Sequence, residues 1–155
     1  MENASPEPSD MDRALLRIVT DVFEYLPTGA ATLTHTWSEA AGMWFVEVKP
    51  RNRSAAMLSV AFDGDDLLNF VVGNIWFEVF PVRSVEDLDD VADIAGAVFQ
   101  GRVEESGFGR EEAFGRILLD EGPMGVGRIH VPWPWKARPL MRRYEPYAEQ
   151  TAGQP

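Results

Sequence analysis

Short apolar runs separated by turn residues dominate the middle of the chain, between Met43 and Phe80. The runs cover residues 43–49, 55–62, 67–72 and 75–80. Asp63–Asp66 and Gly73–Asn74 stand between them, and such clusters of Asp, Asn and Gly favour tight turns. An earlier segment, 31–37, has Thr at every second position, which is typical of a half-buried strand. The pattern predicts an antiparallel sheet built of consecutive hairpins.

Two segments outside these runs have apolar residues at helical spacing and are predicted to be helices over about 10–26 and 85–100. Each begins with an S-x-x-D capping box, which pairs Ser9 with Asp12 in the first segment and Ser84 with Asp87 in the second. Two helices flanking consecutive hairpins predict an α+β fold. The expected architecture is a two-layer sandwich, in which an antiparallel sheet of about five to seven strands carries both helices on one face.

The pattern weakens after the second helix. Residues 102–105 are predicted to be a short strand, and residues 114–119 and 127–131 to be the arms of a hairpin around a glycine-rich connection. A short helix over 110–119 is the alternative.

The domain organisation is simple. Residues 10–147 are predicted to form one domain, and its last part, 131–147, to be an extended arm rich in Pro and Trp, because each Pro removes a backbone donor. Residues 1–9 and 148–155 lack apolar runs and are predicted to be disordered.

Composition limits the class of protein. With 155 residues, of which 45% are hydrophobic, the chain fits one domain with a full core. It contains no Cys, which excludes disulfides, thiolate zinc sites and a cysteine nucleophile. The sequence has no secretory signal pattern and no apolar run of membrane-spanning length, so a cytoplasmic location is expected. The preference for Arg over Lys favours a bacterial source with a GC-rich genome.

Charge is negative and unevenly distributed. The net charge is −11, yet residues 128–155 carry 5 bases and 2 acids, which leaves a net of −14 on residues 1–127. Phosphate contacts need clustered Lys and Arg, so this acidic body argues against a nucleic-acid partner and against binding to an anionic membrane. It favours a basic protein partner.

Motifs of common enzymes and metal sites are absent from the sequence, which has no P-loop, H-E-x-x-H or G-x-S-x-G. The glycine-rich stretch Gly122–Gly127 is interpreted as a hairpin loop, because no capped helix follows it to bind a phosphate. The Asp residues of 63–66 are interpreted as a turn, since the EF-hand pattern is missing. His35 and His130 have no partners at metal-ligand spacing. We therefore expect no enzymatic activity, no metal and no cofactor.

The second predicted helix carries an acidic face. Glu86, Asp89, Asp90 and Asp93 fall at positions i, i+3, i+4 and i+7, with no Lys or Arg between Ser84 and Gln100. Like charges at i, i+4 destabilise a helix slightly, and Asp is a weak helix former. Two interpretations remain open: a solvated acidic face, or a docking face for a basic partner.

Trp133, Trp135 and Arg138 form the second candidate site, in the C-terminal arm. Two Trp residues at alternate positions of an extended segment project to the same side, and Trp and Arg are the residues most enriched in binding hot spots. The alternative is that both Trp side chains fold back onto the sheet while the Arg pairs with the acidic body.

Three hypotheses for the function follow. The leading one is a non-enzymatic, acidic protein-binding module of the bacterial cytosol that docks a basic protein partner. Its acidity and element order are loosely similar to those of small bacterial secretion chaperones and of immunity proteins that neutralise toxins; no motif carries this similarity, so it transfers no residue roles. The alternative is a small-molecule-binding protein or enzyme, with a pocket between the sheet and the C-terminal arm lined by His35, Trp44 and Glu47. The third is a homodimer built by edge-strand pairing.

Overall fold

The computed structural model describes residues 4–108, 112–129 and 140–149 of the chain. Its helices are α1 (Asp10–Phe23) and α2 (Asp89–Phe99), and a 3-10 turn, Val85–Leu88, leads into α2. The first sheet contains β1 (Ala31–Ser38), β2 (Met43–Pro50), β3 (Leu58–Phe62), β4 (Leu68–Val72) and β5 (Ile75–Val79). The second contains β6 (Val103–Phe108), β7 (Glu112–Leu119), β8 (Gly122–Ile129) and β9 (Leu140–Arg143).

The first sheet is an antiparallel meander in which β1 to β5 lie in chain order. Its register aligns one row of buried side chains across four strands, namely Val46, Val60, Phe70 and Phe77. Successive side chains of a strand point to opposite faces, so this row belongs to one continuous apolar face. The predicted hairpins are confirmed, although β3 begins at Leu58 and not at residue 55.

Both helices pack on the core side of the sheets. Helix α1 contacts β1, β2 and β3, whereas α2 contacts α1 and β7. Leu15 and Val19 of α1 and Val91 and Ile94 of α2 are buried in the same core as the sheet residues. The α+β two-layer sandwich is therefore confirmed.

The capping boxes stabilise the starts of both helical segments. In α1 the Ser9 hydroxyl accepts the Asp12 N–H at 3.2 Å, and the Asp12 carboxylate accepts the Ser9 N–H at 2.8 Å. The segment 85–100 is not one continuous α-helix as predicted, because Leu88 adopts φ −91° and ψ 6° between the 3-10 turn and α2. Helix α1 ends at Phe23, earlier than the predicted residue 26.

The sequence pattern does not predict the second sheet as a separate unit. Its strands lie in the antiparallel order β8–β7–β6–β9. Residues 112–119 form a strand and not the alternative helix. The prediction of a loop over Gly122–Gly127 is wrong, because these residues lie within β8 and the turn before them is formed by Asp120 and Glu121. Gly122 adopts φ 135°, which glycine accepts readily, so pairing with Leu119 starts directly after the turn.

The predicted C-terminal arm, 131–147, also contains a strand. Strand β9 pairs with β6 at the edge of the second sheet, with Glu104 opposite Arg143. Residues 130–139 lie outside the described residues, so the polyproline-like conformation there stays a prediction, as does the disorder of residues 1–9 and 148–155. Neither helix in the described part of the chain is long and apolar enough to cross a membrane.

Tyr147 ties the end of the described chain to the core. Its side chain is 3% exposed, and its hydroxyl donates to the Ala56 carbonyl at 2.6 Å. Its backbone N–H donates to the Phe99 carbonyl at 2.9 Å, at the end of α2. Gly101 lies beneath this segment with φ 73°, and a Cβ atom there would lie 2.6 Å from the Glu145 carbonyl carbon. The close approach therefore requires glycine.

Tyr144 forms a second tie through a buried carboxylate. Its hydroxyl donates to Glu105, which is 8% exposed and also accepts the Asn74 N–H at 3.2 Å. Burial, and then the hydrogen bond to Glu105, raise the pKa of Tyr144 to about 12. The Arg142 guanidinium lies 4.8 Å from the centre of the Tyr144 ring. The cluster joins the β4–β5 turn to both β6 and the C-terminal segment.

Candidate functional site

The acidic residues of the 3-10 turn and α2 lie on the outside of the molecule. Glu86, Asp89, Asp90 and Asp93 are all exposed. The opposite side of α2 is anchored by Val91, Ile94, Ala95 and Val98, which are buried. This amphipathic pattern fixes the direction of the acids, because burying the apolar stripe leaves the other positions in water.

One neighbouring acid has a structural role. The Asp87 carboxylate accepts the backbone N–H groups of Arg83 at 2.8 Å and of Ser84 at 3.1 Å. These hydrogen bonds favour the ionised form and lower the pKa of Asp87. A hydrogen bond from the Ser84 side chain, followed by one from its own backbone N–H, lowers the pKa of Glu86. Both carboxylates therefore remain charged at neutral pH.

Basic side chains do not neutralise the acidic face within the described part of the chain. The ion pairs there join Arg13 to Glu7 and Asp10, Arg102 to Asp120, and Arg116 to Glu104. None of them involves the four acids, so no basic side chain among the described residues forms an ion pair with them. Uncompensated charge of one sign creates a field that attracts molecules of the opposite sign.

Two exposed apolar side chains adjoin the acids in the chain. Phe80 is 69% exposed and Val85 is 39% exposed. We call these two residues together with Glu86, Asp89, Asp90 and Asp93 the docking face. The sequence pattern does not predict that either side chain is exposed. Phe80 falls in the apolar run 75–80, but the strand ends at Val79, and Val85 falls in the predicted continuous helix, which begins instead with a 3-10 turn.

The second candidate site lies outside the described residues. Trp133, Trp135 and Arg138 belong to the segment 130–139, so their role in binding stays a prediction.

The register of the first sheet separates the residues predicted to line a pocket. His35 is opposite Val46 and Trp37 is opposite Trp44, so His35 and Trp44 share the core side, where their ring centroids lie 4.7 Å apart. Glu47 is opposite Thr34 and points to the other side of the sheet. The prediction that His35, Trp44 and Glu47 line one pocket is therefore wrong.

A shallow depression of about 630 Å³ lies elsewhere, between the α1–β1 connection, the β2–β3 loop and the C-terminal segment. Its lining includes Thr28, Arg51, Asn52 and Glu145. Asn52 already donates to the Glu145 carboxylate at 2.9 Å and to the Pro146 carbonyl at 3.1 Å. These polar groups thus hold the C-terminal segment in place.

Two buried nitrogens have no hydrogen-bond partner among the described residues, His35 Nε2 and Trp44 Nε1. Burial lowers the pKa of His35, and the nearby Asp12 carboxylate opposes this change. The neutral imidazole is accordingly the form that the fold accommodates.

Acidification is expected to destabilise the protein through His35. Folding lowers the pKa of His35, so the unfolded chain takes up the proton before the folded protein does as the pH falls. The contribution of the neutral imidazole to the free energy of unfolding is therefore present above pH 6.5 and is lost as the pH falls below this value. The measurement is the free energy of unfolding by urea above and below pH 6.5, in wild type and in His35→Gln. On acidification the free energy of unfolding of wild type should fall relative to that of His35→Gln; a difference independent of pH would contradict the prediction.

The Asp-rich turn between β3 and β4 is explained by its own hydrogen bonds. The Asp63 carboxylate accepts the N–H groups of Asp65 at 2.8 Å and Leu67 at 3.1 Å, as expected of an Asx turn. Among the described residues no group of three or more His, Asp or Glu side chains is arranged to hold a metal ion.

Comparison of the chain with protein-family models, with curated proteins and with solved structures finds no match. The function must accordingly be argued from the docking face and the fold alone.

Proposed function

We propose that this protein is a non-enzymatic protein-binding module that docks a basic protein partner on the docking face. The observation that carries the proposal is that one short segment of the chain, residues 80–93, contains four exposed acids without basic partners among the described residues and two exposed apolar side chains. A surface that served solubility alone would not need Phe80 to be exposed.

The acids would act mainly on the rate and selectivity of association. Complementary charge steers a partner towards its site and repels acidic competitors, and the effect weakens as salt screens it. The body of the protein is acidic as well, so the long-range field and the local docking face attract the same class of partner.

The exposed apolar side chains, Phe80 and Val85, would supply the contacts that keep the complex from dissociating quickly. Aromatic side chains buried at the centre of an interface contribute most of its binding energy, while surrounding polar residues exclude water. In this arrangement Phe80 is the anchor, and Glu86, Asp89, Asp90 and Asp93 form the charged rim. The expected partner presents an apolar recess bordered by Lys or Arg.

The test is a pull-down from native cytosol at low and high salt with wild type and two charge variants. The docking variant combines Glu86→Gln, Asp89→Asn, Asp90→Asn and Asp93→Asn. The control variant combines Asp21→Asn, Glu39→Gln, Asp65→Asn and Glu121→Gln. The control acids are exposed, and their carboxylates make no ion pair or hydrogen bond among the described residues. Both variants change the net charge by the same amount.

Proteins retained by wild type would be identified, purified and titrated directly. We expect a basic protein whose affinity falls at least about tenfold in the docking variant and in high salt, and much less in the control variant. Phe80→Ala should speed dissociation without changing the salt dependence. If both charge variants lose the same affinity, the effect is due to net charge and not to the docking face. If all the proteins bind with the same affinity, the docking face has no part in binding.

A further inference from the structure

We propose that two copies of this chain pair through strand β1, in an antiparallel arrangement with its two-fold axis at Thr34, to form a continuous ten-stranded sheet. The inference goes beyond the docking face and does not depend on it. Strand β1 is the end strand of the first sheet, and within the described residues it pairs only with β2. No other described strand pairs with its second edge, which can therefore accept a strand of a second molecule.

The hydrogen bonds to β2 identify the backbone groups on this free edge. Arg51 N–H donates to the Ala30 carbonyl at 2.9 Å, so residues 30 and 51 form a hydrogen-bonded pair. Such pairs alternate along an antiparallel ladder. Thr32, Thr34 and Thr36 therefore direct their backbone groups towards β2. The outward groups belong to the residues between and beside them: Ala31, Leu33, His35 and Trp37.

One register uses all of these outward groups. If Thr34 lies opposite Thr34 of the second copy, Leu33 of each copy lies opposite His35 of the other. Ala31 of each copy then lies opposite Trp37 of the other. Each of these is a hydrogen-bonded pair, so every outward N–H and C=O of the four residues is satisfied. A shift of the register in either direction leaves at least one of them unpaired. Only the register centred on Thr34 pairs all four outward residues with one another.

The side chains are compatible with the same register. On the side away from the helices, Thr34 meets Thr34 and Thr32 meets Thr36, and cross-strand Thr pairs stabilise antiparallel sheets. All three Thr residues are exposed in the single chain. On the core side Leu33 and Trp37 are only partly buried, so pairing would cover apolar surface.

Charge favours this edge over the rest of the surface as a contact between copies. A net charge of −11 opposes self-association. Strand β1, however, contains no Asp, Glu, Lys or Arg over its eight residues, so like charges do not meet at the seam.

Other strands at the ends of the sheets carry the features that prevent pairing, and β1 does not. Strand β5, at the other end of the first sheet, is five residues long, carries Glu78 and contacts β8. Strand β9 is four residues long with Arg142 and Arg143, and β8 contains Pro123. Short length, charged side chains and Pro are the common means by which proteins protect exposed edges. Strand β1 has eight residues with no charged side chain, no Pro and no bulge in its register with β2. Such an unprotected edge indicates that β1 pairs with another strand in the functional protein.

Cysteine cross-linking tests the register, because the chain has no Cys of its own. In the proposed dimer residue 34 forms a non-hydrogen-bonded pair with itself, with Cα atoms about 4.5 Å apart, within the range of a disulfide. Thr34→Cys should therefore give a disulfide-linked dimer on mild oxidation. Thr32→Cys is the matched control, because its two copies lie four residues apart along the seam, about 14 Å. Mixing Thr32→Cys with Thr36→Cys should restore cross-linking.

Solution mass supplies the second measurement. Wild type and the docking variant should both have twice the mass of one chain by light scattering. Thr34→Lys should be monomeric because it places two positive charges on the axis, and an equal mixture of Thr34→Lys and Thr34→Glu should recover the dimer. The proposal is overturned if wild type is monomeric at all concentrations. It is also overturned if wild type is monomeric because β1 binds a strand of another protein. A dimer that cross-links equally through residues 32 and 34 also overturns it.

Discussion

Gly101→Ala should destabilise the protein by about 2–5 kcal/mol, since it combines two separate costs. The first is backbone strain, because an alanine at φ 73° adopts the left-handed conformation. The second is steric. The new Cβ atom would lie 2.6 Å from the Glu145 carbonyl carbon and in still closer contact with the Pro146 nitrogen. Both neighbours are backbone atoms, so no side-chain rotation relieves the overlap. The C-terminal segment must shift, and the hydrogen bond from Tyr147 to the Phe99 carbonyl is the first contact at risk.

Gly42→Ala separates these two costs. Gly42 has φ 66°, close to that of Gly101, but a Cβ atom there would meet nothing within 4 Å. It should therefore lose only the strain contribution of about 1–2 kcal/mol. The measurement is the free energy of unfolding by urea, at one protein concentration for all variants. Equal losses for the two variants would contradict the close packing of the C-terminal segment over Gly101.

Phe70→Ala should cost about 3–5 kcal/mol, the usual range for truncating a buried aromatic side chain. Phe70 is 1% exposed, and its ring stacks on that of Phe77 at 4.8 Å with an angle of 1° between the planes. It lies in the buried row that crosses the first sheet, between Val60 and Phe77. Truncation leaves a cavity at the centre of the sheet, where neighbouring strands cannot close the space without breaking their register.

Trp76→Ala is the matched control, on the next strand and the other face. Trp76 is larger than Phe70, but it is 52% exposed and points away from the helices, opposite Val71. Its truncation should change the free energy of unfolding by less than about 1 kcal/mol. If Trp76→Ala costs as much as Phe70→Ala, the assignment of the two faces of the sheet is wrong, or the exposed face is covered in solution.

The contacts that stabilise the last described residues could not be predicted from the chain in order. Tyr147 hydrogen-bonds to Ala56, and Tyr144 to Glu105, across long separations in sequence. A Tyr next to Pro146 gives no local signal of which carbonyl or carboxylate it will meet. The pairing of β9 with β6 could not be predicted either. The two strands are far apart in the chain, and the segment before β9 has no strand pattern that indicates its partner.

The sequence predicts the acids of the docking face but not the exposure of its two apolar residues. The acids are recognisable from helical spacing, because an amphipathic helix must leave its polar positions in water. The exposure of Phe80 and Val85 depends on where β5 ends and on the 3-10 turn before α2, both of which differ from the predicted boundaries. Boundaries are set by small differences in local hydrogen bonding, which tertiary packing readily changes.

The sequence by itself determined the order of the elements through β5, the two capped helices and the α+β class. Each of these follows from interactions between residues close in the chain: the alternation of β1, the turns at 63–66 and 73–74, and the Ser–Asp boxes. Only the tertiary structure decided that Glu47 faces away from His35, that a second sheet forms, and that the C-terminal segment packs against Gly101. These depend on pairing and packing between distant segments, and whether a side chain meets a partner there depends on the register of whole strands.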